Sequence, residues 1–235
     1  WCTKYMFHYR WYPQVDADNA GTLLPLFQKV DMATKLHEQF KPYIRDRQVG
    51  RLHVVGSNDD TAGLIDASYR RFLLALENHL VAQPFMLGYR PGASDFGIYG
   101  QLTQLIGFDP TPRAIAHELA PRVVAWTGLL EDQSGLEPEE SDWITGRNIP
   151  SSLSELLKEV GRVYAPALLA NAKALQSGEK TWEAEIDGGL WNQQTFSYQG
   201  KCLQWINREY QSLCGADKKV VNEILAGTGC EQILL

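Results

Sequence analysis

Segment 86–105 constrains the fold of this chain more than any other stretch of its sequence. Pro91 ends whatever precedes it, and Gly92 can serve as an N-cap because glycine tolerates non-helical dihedral angles. Asp95 then occupies the third helical position, where a carboxylate can accept from the N-cap amide and favours the positive end of the helix. The segment therefore predicts a helix whose start is fixed by Gly92 and Asp95, both in structural roles.

The residues behind this cap predict that the helix is buried. Its apolar positions recur at helical spacing: Phe96, Tyr99, Leu102, Leu105 and Ile106. Pro91 and Phe96 flank the cap at the spacing of a hydrophobic staple. Gly97 and Gly100 would let another helix approach closely. Taken alone, the pattern is also that of any well-capped core helix.

Periodicity and capping signals along the rest of the chain predict mostly helices. Six of the predicted helices have both ends assigned: 5–12, 18 or 19 to 27, 33–47, 59 or 60 to 81, 200–213 and 217–225. For three more only the start is predicted: at Thr111-Pro112, at Pro121 and at the capping box of Ser152 and Glu155. Pro166 predicts a kink or a split in the helix that contains it. Segment 49–57 is compatible with a loop or a short strand.

One hairpin and one long loop complete the predicted organisation. Residues 182–186 alternate in polarity, and Asp187-Gly188 is a hairpin turn signal, so a small β-hairpin is predicted near residues 182–198. Residues 133–150 show no periodicity and predict a surface loop. We therefore predict an all-α fold in one domain over 1–235, with a core at 1–132 and a C-terminal helical extension at 151–235.

Composition excludes several classes of protein. A chain of 235 residues with 44% hydrophobic and 21% charged residues is typical of a folded globular protein rather than a disordered one. A net charge of −6 argues against a nucleic-acid partner. The sequence has no apolar run of about 18 residues and no signal-peptide pattern, so we predict no membrane partner and a cytoplasmic location.

Cysteine and histidine spacing predicts neither a metal site nor a disulfide framework. Cys2, Cys202, Cys214 and Cys230 form no Cys-x-x-Cys pair, so four reduced thiols are expected. The five histidines are scattered, and His37 is not followed by a second histidine at metalloprotease spacing. We predict that no metal is bound.

Residues 87–102, Leu-Gly-Tyr-Arg-Pro-Gly-Ala-Ser-Asp-Phe-Gly-Ile-Tyr-Gly-Gln-Leu, resemble the capped core helix of the C-terminal domain of glutathione S-transferases. Segments 108–112 and 120–126 resemble the next loop and helix of bacterial members, and the resemblance is strongest over 70–132. The family usually has Ser or Thr at the cap, where this chain has Gly92. A glycine cap costs only a few tenths of a kcal/mol relative to serine.

The resemblance implies a helical bundle of the transferase C-terminal type, preceded in the same polypeptide by a thioredoxin-like domain. This sequence begins at Trp1, in a stretch that looks helical and leads into the predicted helix 5–12. It shows neither an early β-α-β pattern nor a cis-proline turn, so that domain is expected upstream. It would hold glutathione, the co-substrate, together with the catalytic residue, which stays unknown for this chain. If that domain docks here, we expect an exposed apolar patch.

The implied reaction is attack of the glutathione thiolate on a small hydrophobic electrophile. This chain alone is expected to be inactive, and the resemblance also makes a homodimer possible. One alternative is a non-catalytic helical module that binds small molecules or proteins. Another is a glutathione-dependent isomerase or lyase that uses the same residues.

In the transferase family the first helix of this domain faces the acceptor site. Its polar and aromatic residues are therefore the candidate substrate-binding residues: Tyr5, His8, Tyr9, Arg10 and Tyr12. Aromatic walls suit apolar electrophiles, and a guanidinium can hold a glutathione carboxylate. The alternative is that these side chains pack the core or a domain interface. Arg90 is expected in a salt bridge or on a glutathione carboxylate, and Cys2 in an incidental role or in a mixed disulfide with glutathione.

Overall fold

The computed structural model describes residues 1–146 and 148–234, which form a helical protein with one antiparallel two-stranded hairpin. The predicted all-α character with a small hairpin is therefore confirmed. Arg147, in the segment predicted as a loop, and Leu235, at the end of the predicted extension, lie outside the described residues.

The N-terminal part contains α1 Cys2–Trp11, α2 Gln14–Gln28, α3 Thr34–Val49, α4 Asp59–Ala82, α5 Ala93–Leu105, α6 Pro110–Leu119 and α7 Pro121–Leu129. The C-terminal part contains α8 Ser151–Glu159, α9 Ala165–Ser177, β1 Thr181–Ile186, β2 Gly189–Gln194, α10 Ser197–Ser212 and α11 Gly215–Leu225. Short 3₁₀ turns lie at Leu52–Val55, Glu140–Asp142 and Cys230–Ile233, and a π-helical turn at Val160–Tyr164 joins α8 to α9. None of the described helices combines the length and the apolar character needed to cross a membrane.

Helix α4 lies at the centre of the fold and packs against α1, α6, α7 and α8. Its apolar stripe is buried: Ile65, Tyr69, Phe72, Leu73 and Leu76. The largest cluster of buried apolar side chains extends from this stripe to Val163, Trp182 and Trp191. One hydrophobic core is thus shared by the predicted core 1–132 and the predicted extension 151–235.

The predicted cap of α5 is confirmed. Gly92 has extended dihedral angles, and its N–H donates to Asp95 Oδ2 at 3.0 Å. The other oxygen, Oδ1, accepts from the N–H of Met86 at 2.8 Å, and the Asp95 side chain is fully buried. The carboxylate therefore fixes the helix start and also the chain nine residues before it.

The prediction that Phe96 is part of the buried face was wrong. Phe96 is 49% exposed, and Gly97 and Gly100 face open space rather than another helix. The buried residues of this helix are Asp95, Leu102 and Leu105. Steps of three residues fall about 60° short of a full helical turn each time, so a series begun at Phe96 reaches the opposite face by Leu105.

Two predicted helix starts are corrected by local bonds. Helix α4 is capped by Asn58, whose Oδ1 accepts from the N–H of Asp60 and of Thr61, and not by Asp59 or Asp60. Helix α8 has Pro150 at its N-cap, so the predicted capping box does not form. Ser152 is used elsewhere, because its Oγ lies 3.0 Å from His79 Nδ1.

Side chains from distant helices complete two other N-termini. Helix α6 has Asp109 at its N-cap instead of the predicted Thr111, whose backbone N–H donates to Asp16 Oδ1 at 2.9 Å. The start of α7 at Pro121 is confirmed, and Glu77 on α4 accepts from the backbone N–H of Arg122 at 2.8 Å. These bonds satisfy amides that a helix leaves without partners at its first turn.

The predicted hairpin is confirmed, with a shorter extent. Asp187 and Gly188 both have positive φ, 51° and 77°, as a type I′ turn requires. The strands end at Gln194 rather than near Tyr198, which already belongs to α10. Trp182 and Ile186 alternate inward and join the core, so the hairpin packs on the bundle by one face.

The predicted disturbance at Pro166 takes the form of the π-helical turn directly before it. This turn lies against the 228–229 segment of the chain. A Cβ added at Gly161 would lie 2.0 Å from the carbonyl oxygen of Thr228 and 2.8 Å from Cα of Gly229. Gly161 is therefore required by a close approach of two backbones.

We expect Gly161→Ala to lower the free energy of unfolding by about 1–3 kcal/mol, because the added methyl group forces backbone apart. Gly97→Ala is the matched control, since Gly97 is also helical but has no atom near its Cβ position. That control should leave stability unchanged or raise it by about 0.5–1 kcal/mol. Urea unfolding followed by circular dichroism measures both, and equal midpoints for the two variants would contradict the assignment.

Candidate functional site

A cavity of about 470 Å³ lies between α1, α5, α8 and the π-helical turn. We call it the apolar cavity; its walls include Tyr5, Phe72, Ile98, Leu156, Val163 and Tyr164. Its volume is in the range of sites that hold small organic ligands. The side chains that line it suit a compact apolar molecule.

One polar chain of hydrogen bonds borders this cavity. Ser68 Oγ donates to Glu159 Oε1 at 2.6 Å, because a carboxylate can only accept. The Tyr5 hydroxyl lies 2.7 Å from Ser68 Oγ and must therefore be the donor of that bond. Burial raises the pKa of Tyr5 well above its usual value. The phenol is thus neutral at pH 7, and its proton is already committed to Ser68.

Arginine side chains neutralise the carboxylate at the end of this chain. Arg71 donates to Glu159 Oε2 at 2.8 Å and also to Asp187 Oδ2 at 2.7 Å. Arg162 lies 3.5 Å from Glu159 and 3.2 Å from Asp187. The network connects α4, α8, the π-helical turn and the hairpin, so the polar border of the cavity is held by four elements.

The structure directs His8 and Tyr9 away from the apolar cavity. His8 Nδ1 lies 2.8 Å from Ser57 Oγ, and burial lowers the pKa of His8 to about 4, so the ring is neutral at pH 7. The Tyr9 hydroxyl donates to Asp66 at 2.7 Å, and burial with this bond raises its pKa. His8 thus connects α1 to the segment before α4, and Tyr9 connects α1 to α4 itself.

Arg10 is occupied by a carboxylate of the protein. Its Nε and Nη2 donate to the two oxygens of Asp109, each at 2.9 Å, and its guanidinium lies 4.5 Å from the centre of the Phe108 ring. Burial raises the pKa of Asp109 to about 6, and Arg10 opposes that shift. The Tyr12 hydroxyl donates to Asp59 at the surface. Of the five candidate residues, Tyr5 alone lines the apolar cavity.

The two remaining candidates have different surroundings. Arg90 Nε lies 3.5 Å from Asp142 Oδ2, so Arg90 forms a salt bridge, which is one of the two roles predicted for it. Cys2 lines the apolar cavity, where burial raises the pKa of its thiol. A thiol in that state is a weak nucleophile, which does not favour a mixed disulfide.

The residues that sequence reasoning missed are those of the polar border, Ser68, Arg71 and Glu159. Ser68 and Arg71 lie on α4 beside its apolar stripe, where a buried polar position is a signal that a partner is needed. The partner Glu159 is 91 residues away along the chain from Ser68, and no local pattern connects them.

The lining of the apolar cavity is poorly suited to the carboxylates of glutathione. Within 1–146 and 148–234 its lining includes neither Arg nor Lys, so the two carboxylates of glutathione would have no cation there. The same part of the chain places no group of three His, Cys, Asp or Glu side chains where a metal ion could be held.

No protein-family model, curated protein or solved structure matches this chain.

Proposed function

We propose that this chain is the helical domain of a glutathione S-transferase-like protein and that its apolar cavity holds the hydrophobic part of an electrophilic substrate. The observation that carries the proposal is the 470 Å³ cavity against Tyr5 on the first helix, with walls that are almost wholly apolar. The family assignment is supported by Asp95, because the residues of the resembling segment form a buried helix cap with two hydrogen bonds.

The proposed division of labour follows from the chemistry of the cavity. Glutathione is highly charged, and its binding is assigned mainly to a thioredoxin-like domain in the same polypeptide. The sulfur activator is assigned there too, since the Tyr5 proton is committed to Ser68. This chain then contributes a dry wall that positions the acceptor for attack. A cytoplasmic location and a homodimer belong to the same proposal.

The rival is a non-catalytic module that binds a small apolar molecule. It is favoured by one observation: the polar groups bordering the cavity, Tyr5 and Glu159, are already paired with other protein groups. A glutathione-dependent isomerase or lyase would use the same cavity. The transferase and the isomerase or lyase require glutathione, and the module does not.

Ile98→Trp tests whether the apolar cavity is the ligand site. The larger side chain fills space beside α5, so the affinity for the neutral fluorescent probe N-phenyl-1-naphthylamine should fall by about tenfold or more, equivalent to about 1.4 kcal/mol. Leu190→Trp is the control, because Leu190 is 64% exposed on the hairpin and does not line the cavity. Fluorescence titration gives both dissociation constants. Equal affinities in the wild type and Ile98→Trp would remove the cavity as the site.

Calorimetry of the intact polypeptide with glutathione separates the enzymes from the module. A transferase should bind glutathione at millimolar concentration or tighter and should conjugate it to an aromatic halide. Binding with isomerisation or elimination but no conjugation would favour the isomerase or lyase. Probe binding with no glutathione binding at millimolar ligand would favour the module.

A further inference from the structure

A second cavity, of about 390 Å³, lies on the other side of Trp1 and Tyr164 from the apolar cavity. We call it the lysine cavity, because Lys4 on α1 contributes to its wall. Its other lining residues include Val54, Leu168, Phe196 and Cys202. Lys4 is only 6% exposed to solvent, which is unusual for a lysine.

The terminal nitrogen of Lys4 is held by two oxygen atoms. It donates to the carbonyl oxygen of Val55 at 2.9 Å and to Oε1 of Gln193. The amide of Gln193 is itself fixed, since Trp191 Nε1 donates to its oxygen at 3.1 Å and its nitrogen donates to Val54 O at 2.9 Å. The amine therefore has a defined position at the cavity wall.

No acidic side chain of residues 1–146 and 148–234 lies within ion-pair distance of Lys4. The titratable side chains that share the wall of its cavity are Tyr164, Tyr198 and Cys202, and none of them is a carboxylic acid. The rings of Trp1 and Trp191, centred 5.2 and 4.9 Å from Nζ, favour the ammonium form. Burial has the opposite effect and lowers the pKa of Lys4 to about 7. Both forms of the amine are thus populated at neutral pH.

The neutral form has the electronic arrangement of a nucleophile. A neutral primary amine has two N–H bonds and one lone pair, and the two oxygens at Val55 and Gln193 use both N–H bonds. The lone pair is left for a bond to carbon. A desolvated amine of this kind is how proteins activate lysine for attack on carbonyl compounds.

We propose that Lys4 is a carbonyl-reactive amine that binds a small apolar aldehyde in the lysine cavity as an imine. The lone pair of Nζ attacks the carbonyl carbon, and one N–H proton moves to the former carbonyl oxygen to give a carbinolamine. The hydroxyl group then leaves as water with the second N–H proton, so a C=N bond replaces the C=O bond and the hydrogen bonds to Val55 and Gln193 are released. No electrons are gained or lost overall. The apolar walls at Val54, Leu168 and Phe196 select an aldehyde with a hydrocarbon chain over a charged one. This site is separate from the proposed transferase function and does not depend on it.

Reductive trapping tests the proposal on the full chain. The protein is incubated at pH 7 with hexanal and cyanoborohydride, which reduces an imine to a stable secondary amine, and the modified residues are identified by mass spectrometry. Fragment ions distinguish Lys4 from the terminal amino group. Lys219, whose side chain is 80% exposed, is the internal reference. An ordinary lysine has less than about one free amine in a thousand at pH 7, so Lys4 should be modified at least about tenfold faster.

Two further measurements distinguish this reactivity from simple accessibility. The ratio of the modification rate at Lys4 to that at Lys219 should fall as the pH rises above 7, because the free-amine fraction of Lys219 keeps increasing while that of Lys4 does not. In urea the advantage of Lys4 over Lys219 should disappear. Lys4→Arg retains the positive charge and donors but should give no adduct at position 4. Modification of Lys4 at a rate equal to or below that of Lys219 in the folded protein would overturn the proposal.

Discussion

Asp95→Ala is expected to lower the free energy of unfolding by about 2–4 kcal/mol, the sum of a lost helix cap and a buried amide left without its acceptor. Its two oxygens accept from the N–H groups of Gly92 and Met86, and the side chain is fully buried. Alanine removes both acceptors at once, and water cannot replace the acceptor of the buried Met86 amide.

Denaturant unfolding of matched variants measures this effect. Asp60→Ala is the control, since Asp60 also lies in the first turn of a helix but is exposed, and its loss should change stability by no more than about 0.5 kcal/mol. Asp95→Asn should lie between the wild type and Asp95→Ala, because the amide keeps one acceptor oxygen and turns an NH₂ group toward the other donor. A midpoint for Asp95→Ala equal to that of Asp60→Ala would contradict the role of the cap.

The parts of the fold that could be predicted from the sequence are those specified by neighbouring residues. The cap from Gly92 to Asp95 spans four positions, and the hairpin turn at Asp187 and Gly188 spans two. Both depend on dihedral preferences, and the cap depends also on a side chain that reaches the backbone three residues before it. The second bond of Asp95, to Met86, depends on how the preceding loop folds back, and no spacing rule indicates it.

Prediction failed where the answer depends on which side of a helix faces the core. The apolar series that begins at Phe96 rotates around the helix, so Phe96 lies on the exposed face although the spacing predicts that it is buried. The prediction of helix starts failed for a related reason. Thr111 resembles a cap, but Asp16, 95 residues earlier in the chain, takes its backbone N–H, so the helix begins at Pro110.

The candidate site shows the same limit. The structure places Tyr5 of the aromatic first helix at the apolar cavity, but a helix has several faces, and His8 and Arg10 of the same helix face other neighbours. Lys4 carries no motif, so the sequence alone gives no reason to select it. Its distinction comes from Val55 and Gln193, which are 51 and 189 residues away.

Arg10→Met is expected to lower the free energy of unfolding by about 3–5 kcal/mol, because it leaves the buried Asp109 carboxylate without the cation that is hydrogen-bonded to it. Asp109 is fully buried and receives two hydrogen bonds from Arg10. Arg122→Met is a matched control. Arg122 also donates to a buried carboxylate, Glu77, but its own side chain is 58% exposed, and Glu77 keeps two backbone donors when it is removed. Its cost should be within about 1 kcal/mol.

The pH dependence and a double variant show whether the loss in Arg10→Met comes from the uncompensated carboxylate. Without the guanidinium, the folded-state pKa of Asp109 rises further above its unfolded value than the value of about 6 that it has beside Arg10. The folded variant then binds a proton that the unfolded chain does not, so the deficit shrinks as pH falls from about 8 towards 6. Arg10→Met combined with Asp109→Asn removes the charge and should be more stable than Arg10→Met alone. A deficit that is independent of pH and unchanged in the double variant would show that Arg10 stabilises the fold through packing on Phe108 instead.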